Sequence, residues 1–194
     1  MLKTLPFLLA LLFVSARTGA ETSPTYQPAS VRVLFSPLGG CTEAIVSAVN
    51  DAKKSVFVQA YSFTSSPIAK AIVDAHKRGV EVRVILDKSQ RTERYSSADY
   101  LANAGVPVAI DAKHAIAHNK IIILDGGTVI TGSFNFTQSA EERNAENLLI
   151  ITDAALAARY LSNWDEHAAH SEPYQGKMEA AQADEAKGGT GKKR

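Results

Sequence analysis

The chain has 194 residues, 45% hydrophobic and 21% charged, the composition of a soluble globular protein long enough for one domain with a sizeable core. Its 21 lysines and arginines stand against 20 aspartates and glutamates, a net charge of +1, so no overall basic field exists and any polyanion must be held by a local patch. Cys41 is the single cysteine, which excludes an internal disulfide, a thiolate metal cluster and dithiol redox chemistry.

Residues 1–20 carry Lys3, an apolar run over 5–14 and small residues ending at Ala20. This is the pattern of a secretory signal peptide, because the apolar run is about half the ~20 residues a membrane span requires. Cleavage fits after Ala20, with Thr18 and Ala20 at the small positions, or after Ala16; a retained N-terminal anchor is the alternative. Removing residues 1–20 takes Lys3 and Arg17 and no acid, leaving 19 basic against 20 acidic residues. The mature chain is expected in the periplasm or outside the cell, with no stable membrane insertion once the signal is cleaved. Residues 21–29, with Pro24 and Pro28, read as a linker into a domain over 30–172.

Alternation predicts a strand over 31–35, and the spacing of Ile45, Val46 and Val49 a helix over 43–53. Cys41, between Gly39-Gly40 and that helix, reads as a small buried residue. A second strand runs over 55–61. Ser65-Ser66-Pro67 suits a helix cap with proline in the first turn, followed by a helix over 68–78 that Gly79 ends. A third strand covers 80–86. The alternation predicts an α/β domain of right-handed βαβ units, a mixed but largely parallel sheet flanked by helices on both faces.

Residues 87–97 form a polar loop in which Lys88, Arg91 and Arg94 supply cations and Tyr95 a stacking surface, the parts a phosphate-backbone groove uses. A short helix over 97–103, a strand over 106–110 and a loop over 111–117 follow. After the hairpin described next come a polar segment over 137–143, a strand over 147–152, and a helix over 154–167 capped by Asp153. Its Leu156, Tyr160, Leu161 and Trp164 make a core-facing stripe. His76, His167 and His170 read as surface residues, and His114 as an exposed loop histidine. Residues 173–194 have too few large apolar side chains to pack and are expected to be disordered.

Residues 118–135 hold two apolar, β-branched runs joined by Asp125-Gly126-Gly127, a strong hairpin signal. With Gly126-Gly127 as the turn, Lys120 lies opposite Ser133 and His118 opposite Asn135. Alternation then projects all four from one face. An imidazole, an ammonium, a hydroxyl and an amide on one face are what phosphoryl chemistry needs and what a hairpin's stability does not.

His118-x-Lys120 followed by Asp125, then Gly132-Ser133-x-Asn135, resembles the HKD motif of the phospholipase D superfamily. Asn144-Ala145-Glu146-Asn147-Leu148 and Gln59-Ala60-Tyr61-Ser62-Phe63-Thr64 resemble the family as well. The similarity covers residues 31–165 and is strongest to small bacterial endonucleases with one motif per chain. It implies a phospholipase D-like fold, a nucleophilic His118, Lys120 balancing phosphoryl charge, Ser133 and Asn135 donating to the same oxygens, and Glu146 accepting from the second ring nitrogen of His118. Asp125 belongs to the motif, but its turn position points off the active face and suggests a structural acid. The superfamily builds one site from two motifs, so the resemblance implies a two-fold homodimer with His118 of each chain meeting the other; His114 is the alternative second histidine. The chemistry implied needs neither metal nor cofactor.

The expected activity is therefore a metal-independent phosphodiesterase, a nonspecific endonuclease acting on DNA, with RNA as an open alternative. Two other readings stand beside it. A lipid phosphodiesterase of the same superfamily would need an apolar entrance for acyl chains. A non-catalytic nucleic-acid-binding module would need no nucleophile, and a slightly acidic mature chain argues against it.

Overall fold

The structure, a computed structural model, describes residues 30–176. The expected signal peptide and linker, and the expected tail from residue 177 onward, lie outside the described residues. In chain order the elements are β1 (Ser30–Ser36), α1 (Cys41–Asp51), β2 (Ser55–Ala60), α2 (Ser66–Lys77), β3 (Glu81–Asp87), a 3₁₀ turn (Lys88–Arg91), α3 (Ala98–Asn103), β4 (Val108–Asp111), β5 (Lys120–Leu124), β6 (Thr128–Gly132), α4 (Gln138–Glu142), β7 (Glu146–Thr152), α5 (Ala154–Ala168) and β8 (Glu172–Tyr174). One eight-stranded sheet holds the strands in the order β1-β7-β6-β5-β2-β3-β4-β8.

The sheet is mixed, as expected, but parallel pairing is confined to β2 with β3 and β3 with β4; the other five pairs are antiparallel. The physical reason lies in the connections. A parallel pair needs a crossover of a dozen or more residues, usually helical, and α2 and α3 provide two. No helix separates β4 from β5, so β5 returns antiparallel beside β2. Strand β1 pairs with β7 at the edge rather than with β2.

Alternation divides the strands between two cores. Ile122 and Leu124 of β5 pack with Val56 and Val58 of β2, Ile45 and Val49 of α1 and Ile68 and Ile72 of α2. Ile121 and Ile123 face the other way, onto Ala157 and Trp164 of α5. All five residues of β5 are buried, which is why it reads as a continuous apolar run. Trp164 donates its indole N–H to the Val58 carbonyl at 3.0 Å and lies with its ring centroid 5.1 Å from that of Phe57, so the stripe on α5 is core, as its spacing predicts.

The caps were read unevenly from sequence. Asp153 accepts the Leu156 amide at 2.8 Å, the expected N-cap of α5. Ser65 occupies the N-cap of α2 but makes no side-chain cap bond. The polar segment over 137–143 contains α4, whose Glu141 accepts the amides of Gly40 and Thr42 and so caps α1 from a distance of about a hundred residues in sequence. The folded domain also runs past residue 172: β8 pairs with β4, and Tyr174 donates to Asp99 at 2.7 Å.

Candidate active site

The β5–β6 hairpin forms with a different register from the one its Gly-Gly pair suggests. Leu124 pairs with Thr128, so Asp125, Gly126 and Gly127 form a three-residue loop, with Asp125 at φ 54° and Gly126 at φ 65°. Continued along the hairpin, this register sets Lys120 against Gly132 rather than Ser133, and strict alternation would send Ser133 to the other face. The chain instead bulges after Gly132: the amides of Ser133 and Phe134 both donate to the Asn147 carbonyl, at 3.1 and 3.3 Å. Gly132, at φ 143°, permits that approach, because a Cβ there would stand 2.3 Å from the same carbonyl oxygen. The bulge turns Ser133 outward and buries Phe134.

Asp125 decides the register. Its carboxylate accepts the backbone amides of Lys53 (3.0 Å), Lys54 (2.7 Å) and Ser55 (2.9 Å), which pins the loop to the start of β2. Burial alone would raise its carboxyl, but these three amides outweigh burial and hold it below the usual range. Asp125 therefore sits at the end of β5 away from Lys120 and takes no direct part in the site, the structural role its turn position suggests.

At the other end, Tyr61 organises the motif residues. The exposed ring of His118 packs on it with centroids 4.6 Å apart, and the Lys120 ammonium lies 5.2 Å from its centroid while donating to the His118 carbonyl at 2.7 Å. Lys120 is only 7% exposed; burial pushes its ammonium down, opposed by the negative charge of Glu146. Glu146 is half-buried and accepts from Asn144 Nδ2 at 3.1 Å. No hydrogen bond joins it to His118 among the described residues, and its charge acts on Lys120. Its neighbour Asn147 donates its backbone amide and Nδ2 to the Ser133 hydroxyl, at 3.0 and 3.2 Å. Asn135 follows the bulge, and its Oδ1 is buried without a hydrogen-bond partner among the described residues. The structure thus gathers His118 and Lys120 on Tyr61, a residue the motif alone does not mark, sets Glu146 where its charge acts on Lys120, and ties Ser133 to Asn147.

The loop after β3 is partly committed to its own fold. Lys88 donates to the His114 carbonyl at 3.0 Å and Arg91 pairs with Glu172. Arg94 lies over the exposed ring of Tyr95, 5.4 Å from its centroid, and Tyr95 lines an open cleft with Thr64, Ser66, Lys70 and Tyr100. All four expected substrate contacts, Lys88, Arg91, Arg94 and Tyr95, are exposed to solvent. The loop carrying His118 is anchored behind by Asp87, which accepts the Ala117 amide at 2.7 Å.

His114 is an exposed loop histidine, as expected, but the reading of His167 and His170 as surface residues does not hold, since both are partly buried. All three rings gather on the Asp111 carboxylate, which is fully buried at the end of β4. Burial alone would raise this acid, but the imidazoles of His167, His114 and His170 outweigh burial and hold it well below the usual carboxylate range. His114 is engaged at Asp111 through its Nδ1.

Residues 45–168 match the family model described as cardiolipin synthase, PLD-like domain. The phospholipase D of Rickettsia prowazekii is 47% identical over 135 residues, 70% of this chain and 66% of that protein, so the match spans about two thirds of the relative's length. A mitochondrial cardiolipin hydrolase of Xenopus tropicalis is 34% identical over 114 residues, 59% of this chain and 54% of that protein. Among solved structures, the phospholipase D family member Nuc from Salmonella typhimurium superposes with a TM-score of 0.73 at 41% identity, covering 76% of this chain and 99% of that one. NucT from Helicobacter pylori gives 0.67 at 25% identity, with 75% and 100% covered.

Proposed function

The chain belongs to the phospholipase D superfamily of phosphodiesterases, and we propose that it is a metal-independent endonuclease hydrolysing DNA, and RNA by the same chemistry, after export to the periplasm or beyond. The observation that carries the proposal is the packing of an exposed imidazole and a desolvated ammonium against one tyrosine ring.

His118 attacks phosphorus through one ring nitrogen and forms the P–N bond as the P–O bond to the departing nucleoside breaks. The leaving oxygen takes a proton from a second imidazole. Water then attacks the phosphohistidine, that second imidazole removes the water's proton, and the P–N bond breaks to release the phosphate ester and restore His118. Lys120 offsets charge on the phosphoryl oxygens, and its burial strengthens that interaction. Ser133 and Asn135 supply neutral donors.

With His114 held at Asp111, the second imidazole is assigned to His118 of a two-fold partner. The exposed side chains of Val31, Val33 and Phe35 on edge strand β1 support such a dimer. Phe35 lies directly opposite Asn147 in the β1–β7 register, and Ser36 opposite Glu146, so a partner covering this stripe would border the site. Glu146 of one chain is then available to hold the imidazole of the other.

The proposal is tested by incubating plasmid and single-stranded DNA with the parent and a His118→Ala variant in excess EDTA. Nicking by the parent alone is the expected result. The names of the rickettsial and mitochondrial relatives favour a second reading, a lipid phosphodiesterase. If neither protein cuts nucleic acid while the parent hydrolyses phosphatidylcholine or cardiolipin, that reading replaces the first.

A further inference from the structure

Away from His118, Lys120 and Glu146, two stretches far apart in sequence meet around one carboxylate. Asp111 ends β4 and His114 lies one turn further along the loop; His167 and His170 lie one turn apart at the end of α5. From the Asp111 Oδ2 atom, His114 Nδ1 is 2.9 Å away, His167 Nδ1 2.7 Å and His170 Nε2 3.3 Å. The four ligand atoms all lie within 4.8 Å of one another.

Hydrogen bonding alone accounts poorly for this arrangement. Three ring nitrogens converge on one oxygen, which has two lone-pair positions for them. His170 Nε2 is buried and makes no acceptable hydrogen bond among the described residues, although buried polar atoms are almost always satisfied. The other carboxylate oxygen is not short of partners, since it accepts the Lys113 amide at 3.1 Å and lies 3.2 Å from His114 Nδ1.

We propose that Asp111, His114, His167 and His170 form a binding site for a borderline divalent transition ion, zinc foremost. Three imidazoles and one carboxylate are a tetrahedral zinc donor set, with bonds of about 2.0–2.2 Å that place neighbouring ligand atoms roughly 3.3 Å apart. The separations from Oδ2, 2.7 to 3.3 Å, must open by up to ~0.6 Å and the wider donor pairs, within 4.8 Å, must close by up to ~1.5 Å, movements that side-chain rotation supplies. A single carboxylate oxygen among three nitrogens is a poor site for magnesium or calcium, which demand oxygen ligands. The Lys113 amide holds the carboxylate from behind, as outer-shell donors do at metal sites.

All four positions come from the protein, the arrangement of a structural centre rather than a hydrolytic one. The ion would clamp the loop that carries His118 to the end of α5. That loop is otherwise held by the bond from the Ala117 amide to Asp87 and that from Lys88 to the His114 carbonyl. The site is independent of the phosphodiesterase chemistry, so its test does not depend on activity.

The experiment uses the protein from residue 21 onward without a polyhistidine tag, stripped with chelator and then freed of it. Titration with zinc should leave one equivalent bound through gel filtration and raise Tm by at least several degrees, since ligand binding to the folded state stabilises it by mass action. Cobalt should give the visible bands of a tetrahedral nitrogen–oxygen site. A His167→Ala/His170→Ala variant, and the milder His170→Gln, should lose the bound equivalent and the Tm rise, whereas His76→Ala should keep both. Failure of the parent to retain zinc overturns the proposal, as does retention with an undiminished Tm rise in the folded double variant. Should the double variant not fold, the parent's stoichiometry and cobalt spectrum, with His170→Gln, decide the question.

Discussion

Asp125 is the motif residue whose role the structure separates most sharply from its neighbours, and Asp125→Ala tests that separation. The substitution removes acceptors from the amides of Lys53, Lys54 and Ser55. Hydrogen bonds to charged groups are worth about 1.5–3 kcal/mol each in favourable settings. Here water replaces the lost acceptor at an exposed position, so the discounted sum is about 2 kcal/mol. Alanine at φ 54° adds up to about 1 kcal/mol that aspartate largely avoids. A total near 2–3 kcal/mol lowers Tm by roughly 5–10 °C for a domain of this size. Asp125→Gly relieves the backbone part only and should lie between parent and alanine variant. The unfolded carboxyl titrates near its ordinary value and the folded one below it. The parent's advantage is therefore present above the ordinary value and disappears as pH falls through the depressed folded value, and the alanine variant should lack this acid dependence. Five residues of β5, at about 3.4 Å each, put Asp125 roughly 17 Å from Lys120, so kcat per folded molecule should stay within about twofold. Thermal melts with turnover measured well below Tm provide the assay. A hundredfold fall in kcat at full folding, or an unchanged Tm, would refute the reasoning.

The remaining substitutions probe the site and the core. Lys120→Met should reduce turnover by about 10²–10³-fold without lowering Tm, because it removes a charge that is costly to bury. Burial lowers the folded lysine's value, so between that value and 10.5 the unfolded chain binds more protons and the parent's stability rises with pH; the Met variant should not show that rise in pH-dependent melts. Gly132→Ala forces a Cβ to 2.3 Å from the Asn147 carbonyl oxygen and should cost about 3 kcal/mol or more in chemical denaturation, with activity falling more than tenfold as Ser133 is displaced. Trp164→Phe leaves the Val58 carbonyl without its 3.0 Å indole donor and should cost about 1–3 kcal/mol, seen as a lower urea midpoint at unchanged kcat.

What the sequence revealed follows from how local each cause is. Runs such as Ile121-Ile122-Ile123-Leu124 carry their burial in their composition, and Asp153 caps α5 three residues away. The hairpin's existence was equally local, but its register was not. Asp125-Gly126-Gly127 admits more than one tight loop, and the amides that select one belong to residues 53–55, about seventy positions upstream. The parallel share of the sheet was overread because strand–helix alternation identifies crossovers without saying which strand the next connection returns to. Strand β8, Glu-Pro-Tyr, has no strand signature; a proline is tolerated there because β8 is the sheet's edge.

The site shows the same division at finer grain. Its residue types were legible because phosphoryl chemistry demands them, while the argument that placed them on one face rested on ideal alternation that the bulge at Gly132 interrupts. His118 and Lys120 meet through Tyr61 instead, and Ser133 reaches Asn147 through the bulge rather than facing Lys120 across the hairpin. The histidines were misread one at a time, although as pairs they carried a signal. Asp111-x-x-His114 and His167-x-x-His170 each place two potential ligands one turn apart, and two such pairs within a single-domain chain need only the fold to bring them together. The contact of α5 with the end of β4 does so. A nuclease whose bond-breaking step uses no metal but whose nucleophile loop is braced by one would keep cutting in EDTA at low temperature and fail in EDTA near its melting point. Loss of activity in EDTA at every temperature, restored by zinc in His118→Ala as well as in the parent, would instead assign the chemistry to the ion.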